Sequence, residues 1–445
     1  MLVKPLPRLW PLAAWVGGGL VLLETLQGPL SSLLGLSAAA AGLWLVSGRL
    51  RPNSQASLPS SSEAWLQRCE AVLQSFETLD QDGDLQRQEQ RRHQLGALRQ
   101  LVGEPHLRVA LVGSSGWSDA LQSHLLENCK PLCPLRVVRS HPLPPSSDQW
   151  HWPEPFRHCD LIVYRLDLPL KAADLRWLEA LPEGQRALLL VDYSGDDWQT
   201  IGSHLKKQLP SLLRDQCWPW SPERPEQLGD QLLPLAQTFA ALGPDWKRST
   251  QKRCLRELHG YWQGELEAMR RSRWQQMLQR TQWAVAAGVV VSPLPTLDLL
   301  VLAAANGLML QEMARLWNSP WSLEQLQATA LHLGKACLSL GVVDWSTQAL
   351  SSVVKLHGAT WLVGGAIQAL SAAYLTRVVG RAMADYMALA AGVPEEDLER
   401  LLQQQAPLLV ARAAEQEKLD WSGFVRQGQS WLQQSPKPPI AANAS

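Results

Sequence analysis

The sequence predicts a chain that combines α/β and all-α structure: an N-terminal transmembrane helical hairpin, an α/β domain with a mostly parallel sheet, and a C-terminal helical membrane-associated domain. Three observations predict this architecture. Two apolar runs fill most of the first 50 residues, apolar strand patterns alternate with helical patterns in the middle third, and long apolar helical patterns follow residue 280. The predicted parts are residues 1–50 (hairpin), 51–106 (linker and helical segment), 107–244 (α/β domain), 245–391 (helical membrane-associated domain) and 392–445 (acidic helix and disordered tail).

The predicted hairpin consists of two apolar runs, Leu9–Leu26 and Leu30–Val46, joined by the turn sequence Gln27-Gly28-Pro29. At about 1.5 Å per residue each run reaches roughly 25 Å, near the lower limit for crossing a bilayer. Basic residues flank the pair and do not lie between the runs: Lys4, Arg8, Arg49 and Arg51. By the positive-inside rule both ends of the hairpin face the cytoplasm. The alternative is a buried helical hairpin of a soluble protein.

The overall composition excludes two classes of protein and favours a membrane interface. Lys and Arg number 41, as do Asp and Glu, so the net charge is zero, whereas a dedicated nucleic-acid binder has a basic surface. A mean hydropathy of −0.13 excludes a transporter that is embedded from end to end. The 21 Trp residues outnumber the 5 Tyr and 4 Phe, and Trp favours sites with one apolar and one wet side. The seven scattered Cys form no disulfide framework, which favours the cytoplasm.

The beginning of the α/β domain has the layout of a phosphate-binding loop. The strand pattern Leu107–Val112 is followed by Gly113-Ser-Ser-Gly116, and a helical pattern begins near Ser118. Such a loop places backbone N–H groups and a helix N-terminus around a phosphate. However, Ser118, Asp119 and Ala120 stand where a working loop has Gly, Lys and Ser or Thr. The carboxylate of Asp119 would repel phosphates, so we expect no competent nucleotide hydrolysis.

Two further strand patterns, Cys159–Leu166 and Ala187–Val191, complete an arrangement that resembles a degenerate small GTPase domain over about Arg108–Leu242. In that family the second of these strands is followed by Asn-Lys-x-Asp, which binds the guanine base, and only Asp196 of that motif is present here. The D-x-x-G motif is replaced by the Pro-rich stretch His141–Pro155.

The resemblance implies a remnant cofactor-binding site made of Gly113, Gly116 and Asp196. Because the nucleotide motifs are lost, we expect no catalytic residue, no metal site and no bound cofactor, and therefore a protein that is not an enzyme. The alternative is an ordinary α/β domain in which the glycine turn is only a turn.

A long basic helix is predicted over Asp245–Arg280, where apolar residues keep helical spacing. Residues 247–280 contain nine basic and three acidic residues, which favours a helix on the anionic cytoplasmic membrane surface. The alternative is a solvated face of a helical bundle.

The apolar segment Trp283–Leu310 follows, with two prolines and Asp298 as its one charge. It predicts a re-entrant or interfacial helical hairpin, with a buried soluble core as the alternative.

Three more apolar helices are predicted, over Leu323–Val343, Ala349–Leu356 and Thr360–Leu375. An acidic helix with seven acidic and three basic residues follows over Glu395–Asp420, and Pro407 is expected to break or kink it. The Pro- and Ala-rich tail from Ser435 is predicted to be disordered.

Three segments in this region carry a second resemblance: Gly288-Val-Val-Val-Ser-Pro-Leu-Pro-Thr-Leu-Asp298, Ser339-Leu-Gly-Val-Val343 and Ala359–Arg377. In order and spacing, over about Arg273–Met387, they are similar to the YcjF-like bacterial membrane family, a domain of unknown function that often follows a GTPase domain. The resemblance implies membrane association and a GTPase-linked context. It implies no established reaction and no catalytic residues.

Together these patterns predict a non-catalytic scaffold or interaction protein anchored in the bacterial inner membrane, with both termini and the α/β domain on the cytoplasmic side. The expected partners are the membrane and other proteins, oligomers included, and not nucleic acid. One alternative is a residual GTP-binding switch that uses Gly113–Gly116 and Asp196. A second alternative is a channel or transporter component, suggested by Asp298 within an apolar run.

Overall fold

The computed structural model describes residues 59–79, 85–129, 134–147, 150–193, 195, 197–221, 228–291, 307–319, 321–357, 366–390 and 395–434. The predicted hairpin, Asp196, Asp298 and the tail from Ser435 lie outside these residues. The described residues belong to two compact units, Pro59–Gly264 and a second unit from Glu265 onward. Each unit is considered by itself below.

The first unit contains a five-stranded parallel sheet with the strand order β2-β1-β3-β4-β5. The strands are β1 (Leu107–Gly113), β2 (Leu135–Arg139), β3 (Leu161–Leu166), β4 (Ala187–Asp192) and β5 (Cys217–Trp220). Parallel pairing requires crossover connections, and helices supply most of them. The predicted parallel α/β sheet is therefore confirmed, and β2 and β5 are two edge strands that the sequence patterns missed.

Two of the described helices precede the sheet in the chain, and helices cover both of its faces. In order they are α1 (Ser62–Leu79), α2 (Leu85–Gly103), α3 (Asp119–Cys129), α4 (Glu154–Arg157), α5 (Ala172–Glu179), α6 (Trp198–Gln208) and α7 (Leu228–Val291). Alternate strand residues enter separate cores. Leu111 and Val163 pack with Phe239 of α7, whereas Val112 and Tyr164 belong to the core that holds Trp177 of α5. Burial on both faces explains the continuous apolar runs of the central strands.

The first part of α7 also packs against α1 and α2. The Sγ of Cys69 donates to the carbonyl of Leu255 at 3.6 Å, and the rings of Phe76 and Trp262 meet edge to face at 6.4 Å. The Oγ of Ser62 donates to Gln251 Oε1 at 3.2 Å. These contacts place the helices that precede the sheet in the same compact unit as the sheet.

Helix α7 is longer than the predicted Asp245–Arg280, because it begins at Leu228 and continues through Pro234 and Pro244. Its early apolar residues, such as Phe239, are buried against the sheet, and this packing outweighs the two missing backbone N–H donors. The expected basic outer face is wrong for two residues. Arg253 and Arg270 are 3% and 7% exposed, so they are interior side chains and do not reach a membrane surface.

Every secondary-structure element described in the second unit is a helix, which confirms a mostly helical C-terminal region. After the end of α7 come α8 (residues 307–316), α9 (Leu323–Ser339), α10 (Val342–His357), α11 (Ala366–Ala390), α12 (Glu395–Leu419) and α13 (Trp421–Gln434). Ser322 and Gln325 form a capping box at the start of α9. Helix α12 continues through Pro407 without ending there, since Leu409 and Val410 beyond it are buried.

Within the described parts of the chain, no single helix is long and apolar enough to cross a membrane. One bent pair has the length and composition for it: Leu323–Ser339 together with Val342–Val353, at an angle of 57°.

Candidate functional site

The loop after β1 lies at the carboxyl edge of the sheet, where α/β proteins place their ligands. Gly113 ends β1 and pairs in register with Arg165 of β3. A Cβ on Gly113 would lie 2.6 Å from the backbone oxygen of Arg165, so no larger residue fits without a backbone shift. The carbonyl of Gly113 also accepts from the backbone N–H of Leu143 at 2.8 Å. Packing of the protein's own backbone therefore accounts for this glycine.

Gly116, the second predicted site residue, lies on the same loop, and its carbonyl is used by the protein itself. Arg165 Nη1 donates to that carbonyl at 2.6 Å. A Cβ on Gly116 would meet Pro142 Cγ at 3.6 Å, an ordinary contact. The structure thus brings Gly113 and Gly116 together, and both contact Arg165, a residue that the sequence patterns did not single out.

The guanidinium of Arg165 links the loop to the ends of three strands. Its Nε and Nη2 donate to Asp192 Oδ2 at 3.0 and 2.6 Å. Both side chains are largely buried, at 17% and 18% exposure. The indole N–H of Trp220 donates to the other oxygen of Asp192. This Arg165 network, composed of Gly116, Arg165, Asp192 and Trp220, spans the carboxyl edges of β3, β4 and β5.

A second set of polar contacts fixes the middle of the loop. The Oγ of Ser115 donates to Asp167 Oδ2, and the same oxygen accepts from Lys171 Nζ at 3.3 Å. Trp117 is 4% exposed, and its indole N–H donates to the carbonyl of Val112 at 3.0 Å. The loop is therefore held by a carboxylate and by a buried indole.

Asp119, which stands where a phosphate loop has Lys, begins α3. It is 92% exposed and pairs with Arg139, whose Nη2 donates to the carbonyl of Trp117 at 2.8 Å. A carboxylate in the first turn of a helix interacts favourably with the helix dipole. Asp119 and Arg139 therefore form an exposed pair at the N-terminus of α3.

Asp196 lies outside the described residues, but its neighbours after β4 are placed. The Oη of Tyr193 accepts from the backbone N–H of Asp197 at 3.0 Å, and the Tyr193 ring lies 5.7 Å from that of Trp198. Asp197 caps α6 by accepting from the N–H of Thr200 at 3.1 Å. The hydrogen bond from Thr200 lowers the pKa of Asp197. Helix capping accounts for this carboxylate.

At the opposite, amino edge of the sheet, Asp160 is 2% exposed and accepts from the N–H of Arg108 at 2.8 Å. Burial raises the pKa of Asp160, and the hydrogen bonds from Arg108 and Thr250 oppose that rise. Burial also raises the pKa of the adjacent Cys159 thiol to about 12, which makes it a poor nucleophile. Among the described residues, no group of His, Cys, Asp and Glu side chains could hold a metal ion.

Comparison with known proteins identifies a domain in the C-terminal half of the chain. Residues 253–411 are a DUF697 domain, a domain of unknown function. The match covers α7 from Arg253 to most of α12, and it confirms the expected C-terminal domain of unknown function. No curated protein and no solved structure matches the chain.

The DUF697 domain contains a partly buried network of ion pairs that joins two of its helices. Arg271 of α7 donates to Glu267 Oε1 at 2.8 Å and to Asp385 Oδ1 of α11 at 2.7 Å, and the indole of Trp317 donates to the other oxygen of Glu267 at 3.1 Å. Arg271 is one of the nine basic residues counted in the predicted helix, and the structure places it, 34% exposed, in this network. Its pairing is structural, since it fixes α7 against α11.

A second network lies where the family match ends. Glu417 of α12 is 1% exposed, accepts a hydrogen bond from Arg381 Nε at 2.6 Å and forms an ion pair with Arg377 Nε at 2.7 Å, both on α11. Arg377 Nη2 also donates to Asp420 Oδ2 at 2.9 Å. The sequence pattern of α12 could not predict this Glu417 network, because an acidic helix is expected to have a solvated face and not a buried carboxylate.

Proposed function

We propose that the protein is a membrane-anchored, non-catalytic scaffold whose α/β domain is a degenerate GTPase-like domain. The Arg165 network is the observation that carries the proposal. It fills the carboxyl edge of the sheet with the protein's own hydrogen bonds, at the place where a GTPase binds nucleotide.

The charges at this edge also oppose nucleotide binding. Asp119, Asp167 and Asp192 surround the loop, and their nearest cations, Arg139, Lys171 and Arg165, are already paired with them. A triphosphate would have to break these pairs and approach three carboxylates, of which Asp167 and Asp192 are largely buried.

The proposal requires that the α/β domain does not bind nucleotide. Isothermal titration calorimetry of the full chain in detergent, with GTP and GDP in the presence of magnesium, tests this requirement. We expect no heat of binding up to millimolar nucleotide. The variant Arg165→Ala, which opens the edge while keeping the three carboxylates, should also fail to bind. Micromolar binding by the wild-type protein would overturn the proposal.

The second candidate function is a residual GTP-binding switch, and the retained layout of β1, glycine loop and the eleven-residue helix α3 favours it. In that case the backbone of Gly113–Gly116 would hold phosphate and Asp196 would bind the base. Any binding found by calorimetry should then be lost in Asp196→Ala and kept in Asp215→Ala, since Asp215 is an exposed residue away from the loop.

The channel alternative requires ion flux in proteoliposomes that Asp298→Asn reduces.

We propose the bacterial inner membrane as the location, with the hairpin of residues 1–50 as anchor and both termini in the cytoplasm. Two tests are direct: sedimentation of the full chain with membranes after carbonate extraction, and protection of both terminal tags from protease in right-side-out spheroplasts. Crosslinking followed by capture from solubilised membranes would then identify protein partners or oligomers.

A further inference from the structure

Helix α13 has one apolar and one polar side, and the apolar side faces the rest of its unit. Phe424 and Gly428 are buried, and the half-buried apolar residues beside them are Trp421, Val425, Trp431 and Leu432. The exposed residues are polar: Ser422, Arg426, Gln427, Ser430, Gln433 and Gln434. A short amphipathic helix of this kind is stabilised mainly by the surface on which it packs.

Gly428 allows α13 to approach that surface closely. A Cβ at Gly428 would lie 2.8 Å from Leu370 Cδ2 of α11 and 3.7 Å from Trp283 Cη2 of α7. Glycine in the middle of a helix is unfavourable, so its presence here is explained by the close packing.

The surface under α13 is aromatic and is contributed by three helices. The Trp421 ring lies 5.0 Å from Trp345 of α10 and 5.4 Å from Tyr374 of α11. On α7, the Trp283 ring stacks on Trp431 at 5.4 Å, with an interplanar angle of 18°. Without α13 these rings would form an exposed apolar patch.

Helix α10 is also the second half of the bent pair that has the length and composition of a membrane span. Leu350 of α10 is fully buried in a cluster with Trp421 and Leu432 of α13. The α10 half of this bent pair therefore has part of its apolar surface covered by α13.

The link between α12 and α13 is short, and its side chain is partly exposed. Only Asp420 separates α12 from α13, and its carboxylate, 55% exposed, pairs with Arg377. Because the Asp420 carboxylate is largely in solvent, this pair contributes little to stability, although the Arg377 side chain is only 11% exposed. Helix α13 also lies beyond residue 411, where the DUF697 match ends, so the cover is an addition to the matched domain.

We propose that α13 is a removable cover, and that its release lets α9 and α10 enter a lipid bilayer. Lipid would then replace the apolar side of α13 around Leu350, and Trp345 and Trp421 would lie at the interface, where Trp is favoured. The inference rests on the proposed function only in placing this unit beside a membrane. Carbonate extraction tests that placement separately, and the vesicle experiment below tests the cover whatever the extraction result.

The experiment uses the full chain reconstituted in vesicles of phosphatidylcholine and phosphatidylglycerol. A nitroxide at Ser352→Cys, an exposed position of α10, reports whether that helix is in water or lipid through its accessibility to oxygen and to an aqueous nickel complex. Cys129 and Cys133 are replaced by Ser. The same protein without Ser352→Cys is treated with the nitroxide reagent in parallel, to show whether any other thiol reacts.

Two variants release α13 by different means. Gly428→Leu adds bulk at the 2.8 Å contact, and the double variant Val425→Asp/Trp431→Asp places two charges in the buried face. Ser430→Leu adds the same side chain to the exposed side of α13 and is the matched control. Hydrogen–deuterium exchange of residues 421–434 measures the release itself.

We expect both releasing variants to raise exchange of α13 at least tenfold and to move the label from nickel-accessible to oxygen-accessible, with Ser430→Leu like the wild type. Release of α13 without movement of the label into lipid would overturn the proposal. Continued protection of α13 in both variants would also overturn it, because the cover would not be removable. If the releasing variants formed crosslinked dimers and the label did not become accessible to oxygen, the uncovered surface would bind a second copy of the chain. That outcome would reject entry into the bilayer.

Discussion

The guanidinium of Arg165 donates to the carbonyl of Gly116 at 2.6 Å, in the loop where a GTPase would bind phosphate through backbone N–H groups. The same side chain neutralises Asp192, which lies at the end of the neighbouring strand. One arginine thus organises the carboxyl edge of the sheet through its bonds to the loop and to Asp192. This relationship has consequences for stability that are separate from nucleotide binding.

Arg165→Ala should destabilise the α/β sheet, because it leaves Asp192 largely buried without its cation and Gly116 without a donor. We expect a loss of about 2 kcal/mol in the opening free energy of β3 and β4, measured by hydrogen–deuterium exchange of the full chain in detergent. Arg176→Ala is the matched control, since the pair that Arg176 forms with Glu179 is mostly exposed. That control should change the opening free energy by less than about 0.5 kcal/mol. Equal effects of the two substitutions would show that the Arg165 network is not a structural element.

Gly113→Ala tests whether this glycine is required by packing. The new Cβ would lie 2.6 Å from a backbone oxygen of β3, which cannot move away as a flexible side chain can. We expect a loss of about 1–3 kcal/mol in the stability of β1, measured by the same exchange experiment.

Gly96→Ala is the control for Gly113→Ala, because Gly96 lies inside α2 with open space at its Cβ position. Alanine is favoured over glycine in a helix, so this variant should gain about 0.5–1 kcal/mol. Opposite signs for the two substitutions are therefore expected. A neutral Gly113→Ala would mean that the strand contact is not tight.

Asp160 gives the sheet a specific pH dependence. Burial raises the pKa of its carboxyl group, so folding favours the protonated form. This contribution to stability is fully present below the unfolded pKa, about 3.9, and is lost as the pH rises through the raised folded pKa. The charged groups nearest to it, Arg108 and Lys247, reduce the shift.

Asp160→Asn cannot ionise and keeps an oxygen that can accept from Arg108. We expect the stability of this variant relative to the wild type to increase as the pH rises from about 4, and then to level off above the folded pKa. Exchange of β1 and β3 amides at several pH values, corrected for intrinsic rates, measures the difference. Asp215→Asn, at an exposed position, should show no such trend. A pH-independent difference for Asp160→Asn would reject the raised pKa.

The sequence patterns located the strands that are buried on both faces and missed the two at the edges. Leu135–Arg139 contains two arginines and Cys217–Trp220 contains a proline, so neither has the apolar run of β1, β3 or β4. Charged residues and proline are typical of edge strands, where one side of the ladder is unpaired.

The candidate site was predictable only in its local part. The spacing of Gly113 and Gly116 after an apolar strand indicated the loop, and the replacement by Asp119 indicated the loss of phosphate chemistry. The role of Arg165 depends on the parallel register of β1 and β3, which places residues far apart in the chain side by side. Single-sequence patterns carry no information about that register. The same limit explains why Arg253 and Arg270, polar by type, are found in the interior.

Glu417→Gln should destabilise the second unit. The carboxylate of Glu417 is 1% exposed and forms ion pairs with Arg377 and Arg381, so the amide leaves two largely buried guanidinium groups with one counter-charge fewer. Breaking a buried pair from one side costs about 3 kcal/mol or more. We expect that loss in the opening free energy of α11 and α12 by hydrogen–deuterium exchange.

Glu415→Gln provides the comparison within the same helix, because Glu415 is 52% exposed and pairs with Lys418 at the surface. It should change stability by less than about 0.5 kcal/mol. Replacing Glu417, Arg377 and Arg381 together by apolar residues should cost less than Glu417→Gln alone, since no buried charge is then left unpaired. If the triple variant is the least stable of the three, the network stabilises the fold beyond compensating its own buried charges.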